Sequence, residues 1–596
     1  MNTATLPAFA AEWVEWLRTH CPVADALALA TAGLVAVRAE EGHVCVDLSQ
    51  EVGQTWNGTT WPAIETWQAS LLASGFVAQA APTMPLVLDA GRLYVARLWQ
   101  DEAELARRLL RLAGPSAHTP ERIRAVLKQL YGRLVEDEDQ HAAVATALLN
   151  RLTIIAGGPG TGKTTTVAKV LAALITLKPD NHIVLAAPTG KAAARMAEAM
   201  GRAKDKLGLD MLTLSALPEE AITLHRLLGY RPDSATPRHG PEQPLALDVL
   251  VVDEASMLDL SLFARLVAAL PAHATLILLG DDEQLASVEA GNVFADLARQ
   301  AGLSTEGAAR LHQASNLRRA ASATPSALGN GITRLSKSRR FDADSGVGAL
   351  AAAIRQGEGK GAIELLQSGR SDLAWHPGTE RQIRAVFLRE LETHLADYRQ
   401  AVAAAEPAAA WAVFQRLCIL SPVREGPSGV EQLNRQAETQ LLGHDTRRRP
   451  FYAGRPVIVR ANAPGLGLAN GDIGITLAGP DGLQVHFLTP TGWRAFLPSR
   501  LPRHDTAFVL TVHQAQGSEF DTVWLMLPDE DAPLLDRTLV YTAVTRARQR
   551  VAIWGSAATF DQAVARRAGR VSGLAKRLGS VDACLPDQAS TDPTTG

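Results

Sequence analysis

Lysine, cysteine and long apolar runs are scarce in this sequence, and each shortage narrows the reading. Of 59 basic residues only 10 are lysine, and six of those fall between Lys163 and Lys206. Arginine carries the remaining positive charge, so that cluster marks a region where a lysine ammonium itself is needed. The four cysteines, Cys21, Cys45, Cys418 and Cys584, lie far apart with no C-x-x-C pair. This excludes a zinc ribbon and a disulfide framework, and it fits a reducing, cytoplasmic setting. No apolar run reaches the roughly 18 to 20 residues that cross a bilayer. The opening MNTATLPAFAAEWVEW carries acids where a signal peptide has a basic start. The sequence therefore reads against secretion and against a membrane partner. Net charge is also small, at −3, which taken in bulk argues against nucleic acid. Its distribution is uneven, however: residues 1–115 hold seven Arg, no Lys and twelve acids, a net −5.

Length and composition point to ordinary globular domains. A chain of 596 residues with 47% hydrophobic and 20% charged residues and a mean hydropathy of +0.01 is folded, with roughly three to five domains of about 150 residues each. Residues 1–115 mix helix and strand patterns, hold six of the eleven tryptophans, and end at Gly114-Pro115. From 116 to 335, short apolar runs (LTIIA at 152, HIVLAA at 182, DVLVVD at 248, TLILLG at 275) alternate with helix-period segments. That alternation predicts an α/β domain with a parallel sheet covered by helices. The Pro-rich stretch 229–247 interrupts it as an exposed excursion. A second alternating region covers 336–435 and 504–580, with RLCILS at 416, FVLTVH at 508, DTVWLML at 521 and VAIWG at 551. Between its halves, 436–503 reads as short strands joined by Gly-rich turns, a small inserted β-barrel. Residues 581–596 read as a flexible tail.

Three places in the first α/β region carry chemistry. The run Gly157, Gly158, Pro159, Gly160, Thr161, Gly162, Lys163, Thr164, Thr165 fits G-x-x-x-x-G-K-[ST] directly after an apolar strand and before a helix. Glycines bring backbone N–H groups close to phosphates, Lys163 neutralises β/γ charge, and the Thr164 hydroxyl can ligate magnesium. Asp253 and Glu254 follow the fully apolar run VLVV (249–252), at the edge where α/β sites form. Asp253 is placed to hold the magnesium ion, and Glu254 to orient or deprotonate the attacking water. Gln284, after TLILLG, can reach the γ-phosphate or its water, although a polar loop after a strand is also an ordinary surface feature. In the second region, KSRRFD (337–342), TVHQAQGSEFD (511–521) and LVYTAVTRARQR (539–550) each lie next to a strand or helix boundary, and the arginines of the first and last would stabilise transition-state charge across an interdomain cleft.

The ordered motifs APTGKAAARM (187–196), VVDEASM (251–257), GDDEQLASVEAG (280–291), SRRF (338–341), NGDIG (470–474), VHQAQGSEF (512–520) and YTAVTRAR (541–548) resemble the superfamily 1B DNA helicases. Within these they resemble the RecD helicases, the alpha subunits of exodeoxyribonuclease V, over about residues 130–580. The resemblance implies two RecA-like motor domains and ATP-driven 5′-to-3′ translocation on single-stranded DNA. It also implies assembly with beta and gamma subunits for double-strand break repair and recombination. By resemblance, Gln140 reads adenine, and Arg340 and Arg546 are the γ-phosphate arginines. Thr189, Gly190, Thr511 and His513 lie along the DNA. Where the family usually has Lys-Ser, this chain has Gln514-Ala515, which removes one cation from the DNA path. No spaced carboxylates suggest a nuclease, so cleavage is expected from another subunit. Two other readings share the motor motifs: a stand-alone RecD-like helicase, and an ATP-switched scaffold that binds DNA without unwinding it. The excursion 229–247 is the candidate strand-separating pin. Residues 1–115, acidic and without lysine, are expected to dock a protein partner, with tryptophans serving either the interface or a small core.

Overall fold

The computed structural model describes residues 6–579 apart from 133–136, 205–210, 232, 233, 235, 342, 343, 443–449, 481, 490, 491, 531 and 568. Both Cys584 and the expected tail 581–596 lie outside the described residues, as do parts of the 229–247 excursion.

The apolar runs form two parallel sheets of the RecA-like kind. The first has six strands in the order Ile332–Leu335, Leu152–Gly157, Thr275–Gly280, Val249–Val252, Ile183–Ala187, Ala221–Thr223, all parallel. Every residue of Leu152–Gly157 and of Val249–Val252 is buried, as strands covered by helices on both faces require. Register decides where the site forms. Gly157 pairs with Leu335, Ala156 with Gly280, and Leu278 with both Val252 and Ile154, so the strand ends step back from Gly157 to Val252, and four chain segments leave the sheet along one carboxyl edge. The second sheet has the order Leu373–Pro377, Ala547–Gly555, Phe520–Met526, Leu417–Ser421, Val509–Thr511, again all parallel.

Between Leu417–Ser421 and Val509–Thr511 the chain makes an antiparallel sheet in the order Gly492–Phe496, Gly482–Thr489, Ile473–Gly479, Pro456–Val459, His504–Thr506. Its ladders, among the described residues, pair neighbours in line without closing a ring. Its first strand starts at 456, later than the expected 436, because residues 430–442 are a helix that belongs to the second parallel sheet. Asn434 on that helix Val430–Leu442 accepts from Val509 N at 3.0 Å and donates to Val509 O at 2.9 Å, closing off the edge strand. The last strand runs to Thr506, past the expected 503.

The N-terminal region is an α+β unit with a mixed sheet in the order Cys45–Asp47, Arg92–Val95, Leu86–Asp89, Val77–Gln79. Trp61 and Trp67, stacked with centroids 4.6 Å apart, fill its core, and Trp67 Nε1 donates to Thr31 Oγ1 at 2.8 Å. The helix Ala96–Leu112 ends this unit in sequence but packs with the first parallel sheet. Its Leu98, Leu105 and Leu109 share one apolar core with Phe263, Leu266 and Leu276. Residues 1–115 are therefore continuous with the motor core.

A strap from the other end of the chain fastens this junction. After the helix Ala557–Ala565, Val571 O accepts from Val44 N at 2.9 Å, and Val571 N donates to the ring nitrogen His43 Nδ1 at 3.0 Å. Gly573 N donates to Glu102 Oε2 at 2.8 Å, and Arg577 donates to Glu102 Oε1 at 2.9 Å and to Asp89 Oδ2 at 2.6 Å. Glu102 is fully buried. Burial pushes its carboxyl upward, while Arg577, the Gly573 N–H and the Tyr94 hydroxyl hold the ionised form. Breaking a buried pair from one side strands the remaining charge. Glu102→Ala is thus expected to cost about 3–5 kcal/mol, read as a lower melting temperature together with faster protease cleavage within 566–579. An unchanged melting temperature and cleavage pattern would show that the strap is held elsewhere.

Candidate functional site

The carboxyl edge of the first sheet brings the P-loop, the Asp253-Glu254 pair, Gln284 and the Arg340 segment into one cleft. Gly160 and Gly162 take φ of +75° and +84°, a left-handed conformation that glycine adopts without steric cost. A Cβ at Gly162 would fall on the Gln140 amide, and one at Gly160 on the Arg340 side chain. Both residues assigned by resemblance therefore flank the loop. Gln140 is buried on the helix Glu138–Leu149 and donates from Nε2 to Thr161 O at 3.2 Å. Lys163 Nζ donates to the loop's own carbonyls, Gly157 O at 2.5 Å and Gly158 O at 3.1 Å. The Thr161 and Thr166 hydroxyls are taken up by Gly158 O and Gly162 O. By contrast, the Thr164 and Thr165 hydroxyls make no hydrogen bond among the described residues.

Asp253 and Glu254 follow the strand Val249–Val252 as the spacing predicts. Burial, then the neighbouring Glu254 charge, pushes Asp253 up to about 6 against the pull of Lys163. Such a carboxylate gains most from a nearby cation. Glu254 sits at φ +52°, a left-handed geometry that costs a non-glycine residue on the order of 1–3 kcal/mol. Gln284 is buried and donates from its amide to Asp281 Oδ2 at 2.9 Å. The same Asp281 oxygen accepts from Tyr541 of the second domain at 3.2 Å. Leu285 N donates to Thr542 Oγ1, and Gln516 Nε2 donates to Leu285 O, both at 2.8 Å.

Arg340, on the segment after the first-sheet strand Ile332–Leu335, and Arg546 of the second domain converge on the cleft. Arg340 Nη2 lies 2.5 Å from Glu519 Oε1, and its buried Nη1 has no hydrogen-bond partner among the described residues. Arg546 is buried and donates to Thr542 O and Ser518 O. Burial lowers its pKa, opposed first by Glu254 and then by Glu519. Two participants escaped the sequence reading. Arg195, within APTGKAAARM, and Glu519, within VHQAQGSEF, form an ion pair at 2.6 Å. Their only sequence signal is membership of these motifs.

Thr189 caps the helix Gly190–Lys204, its Oγ1 accepting from Ala192 N at 3.2 Å, and Gly190 abuts Ala469 beside the NGDIG turn. Thr511 and Gln514 cap each other: Thr511 N donates to Gln514 Oε1 at 2.9 Å, and Gln514 N donates to Thr511 Oγ1 at 3.2 Å. This gives Gln514 a local role, and Ala515 is buried, which accounts for residues that offer DNA no cation. The excursion 229–247 holds no strand among its described residues. Instead it folds back on Leu224–Leu228 through His239 N to Leu228 O at 3.0 Å and buries Leu245 and Leu247.

Three family models match the chain: an AAA domain over residues 140–290, a UvrD-like helicase C-terminal domain over 506–554, and the RecBCD enzyme subunit RecD N-terminal domain over 3–94. The RecBCD enzyme subunit RecD of Mycolicibacterium smegmatis is 39% identical over 559 residues, covering 91% of this chain and 92% of the relative. That of Haemophilus influenzae is 33% identical over 606 residues, covering 93% of each. The ATP-dependent RecD2 DNA helicase of Deinococcus radiodurans is 31% identical over 516 residues, covering 84% of this chain and 60% of the relative.

Burial, and then the Arg570 charge, lowers the pKa of His513, so its imidazole is neutral at pH 7 and gains a proton only below the ordinary histidine range. Single-stranded DNA binding, measured by fluorescence anisotropy, should have the same pH dependence between about pH 8 and 7 in the wild type and His513→Gln. An affinity gain on acidification confined to the wild type would reveal a charged contact.

Proposed function

The chain belongs to the RecD family of RecBCD enzyme subunits, ATP-dependent DNA helicase motor subunits of recombination and repair, and from that premise we propose that it moves 5′ to 3′ on single-stranded DNA with the described cleft as its ATP site. The observation that carries the reading is Arg340: one guanidinium nitrogen is buried without a partner among the described residues, while its side chain lies against the P-loop at Gly160. An arginine so placed fits a phosphate oxygen.

Lys163, bonded here to loop carbonyls, would redirect its N–H donors to β/γ-phosphate oxygens. Arg340, from the segment that joins the two domains, and Arg546, from the second domain, would meet charge that develops in the transition state as the second domain closes on the nucleotide. Glu254 would orient or deprotonate the attacking water. Thr164 and Asp253 are a fitting pair for Mg2+, which when bound would neutralise phosphate charge. Thr189, Gly190, Thr511 and His513 would follow the DNA strand from one domain to the other.

For partners, the N-terminal unit supports docking to the beta and gamma subunits. Phe9, Trp13, Trp16 and His20 lie on one face of the helix Ala8–His20, with Trp13 stacked on Trp16 and Trp16 on His20. Phe9 and Trp16 are exposed, as are Val23, Leu72 and Met84 of the same unit. An aromatic stripe of this kind on an acidic surface suits a protein interface more than a phosphate backbone.

Lys163→Ala and Glu254→Gln are each expected to lower DNA-stimulated phosphate release by about 10²-fold or more. On forked substrates, the wild type should unwind from a 5′ overhang and neither variant should. Unwinding from 3′ overhangs alone would overturn the polarity, and near-normal hydrolysis in a folded variant would overturn the site. Trp16→Asp should abolish co-purification with the other subunits and leave ATP hydrolysis intact. Intact assembly would move the interface off this helix.

A further inference from the structure

Glu519 is shared by arginines from three parts of the chain. Its Oε1 lies 2.6 Å from Arg195 Nη2 and 2.5 Å from Arg340 Nη2, and its Oε2 lies 3.4 Å from Arg548 Nε. Arg195 stands on the first-domain helix Gly190–Lys204, Arg340 on the segment after the strand Ile332–Leu335, and Glu519 at the start of the second-domain strand Phe520–Met526.

The two close arginines are bound unequally. Arg195 is fixed twice, because its Nη1 also donates to Gly517 O at 2.7 Å. Arg340 holds Glu519 through one nitrogen, while the other is buried without a partner. A ligand with several anionic oxygens satisfies both nitrogens of a guanidinium where this single carboxylate oxygen satisfies one. Arg340 is therefore the member that can leave, and it already lies against Gly160 of the P-loop. Burial disfavours the Glu519 charge, but Arg195 and then Arg340 hold the carboxyl down at about 2, so it stays an anion throughout the working pH range.

Resting on the reading of this cleft as the ATP site, we propose that Glu519 is a positioning residue that retains Arg340 in the nucleotide-free cleft and releases it to the phosphates, with Arg195 remaining as its first-domain tether. The tether ties this exchange to DNA. Arg195 is on the helix that begins at Thr189-Gly190, and Glu519 follows Thr511 and His513 in one short segment. A strand seated across both ends shifts the two domains relative to each other and so changes the hold on Arg340. DNA would in this way govern the availability of an arginine that it does not touch.

The test compares the full chain with Glu519→Gln and Arg195→Met, measuring phosphate release with and without oligo-dT across ATP and DNA concentrations. Glu519→Gln keeps the shape and removes the charge, so DNA-free turnover should rise about 3- to 10-fold and the stimulation ratio fall accordingly. Arg195→Met leaves Glu519 to Arg340, so DNA-free turnover should fall and half-maximal stimulation should need more DNA. A purely structural ion pair would instead lower both activities together in both variants. That outcome, or unchanged stimulation ratios, overturns the proposal. If one variant does not fold, judged by its melting curve, the direction of change in the other decides. Absence of DNA-stimulated turnover in the wild type would overturn the ATP-site reading itself and this inference with it, whereas normal wild-type stimulation with unaltered variants overturns this inference alone.

Discussion

The proposed ATP site depends on the carboxyl edge of one parallel sheet. Leu335 ends level with Gly157, while Gly280 ends level with Ala156 and Val252 level with Ile154, so the phosphate loop, the paired acids, the Asp281 loop and the Arg340 segment enter one cleft from adjoining strand ends. A shift of register at any of these strands would carry a charged group about 3.3 Å along the sheet, beyond hydrogen-bond reach of the others. The apolar core beneath serves chiefly to fix that alignment, since strands buried on both faces tolerate no slippage.

The cleft is also an electrostatic problem. Arg195, Arg340 and Arg546 gather near Glu254 and Glu519 in surroundings that penalise every unpaired charge. Each cation is provided for by a different means: Arg195 by a carboxylate and a carbonyl, Arg546 by two carbonyls, and Arg340 by one carboxylate oxygen. Lys163 similarly rests on the carbonyls of its own loop. In the proposed ATP site these would be holding positions for groups whose stronger partner is a polyphosphate. Closing the second domain on ATP would then exchange ion pairs within a dry site rather than desolvate new charges, which keeps the motion inexpensive.

The same economy extends to the periphery. Arg570 in the C-terminal strap donates to Glu289 O and Gly291 O, on the loop that starts at Asp281, while the Gly291 N–H donates to Gly42 O of the N-terminal unit. The loop between the two motor domains is thus touched by both ends of the chain. A protein bound to the N-terminal unit acts on a surface that is mechanically continuous with the ATP cleft through the helix Ala96–Leu112 and this strap.

The central strands of both sheets were legible because burial on two faces writes them as unbroken apolar runs, and the P-loop and Asp253-Glu254 were legible because phosphate chemistry fixes residue types at fixed local spacing. The sequence by itself therefore determined the two-sheet motor, its nucleotide loop and its family. The edge strands Ile332–Leu335 and Leu373–Pro377 were not legible, since half-exposed edges dilute the apolar signal. Nor could spacing show that Ala96–Leu112 packs on the motor, that Gln284 gives its amide to Asp281, or that Glu519 gathers Arg195 and Arg340. Those pairings join residues up to hundreds of positions apart, and an ion pair leaves no periodicity in the chain. Only the tertiary structure, by bringing separate strand ends to one edge, decided which charges meet.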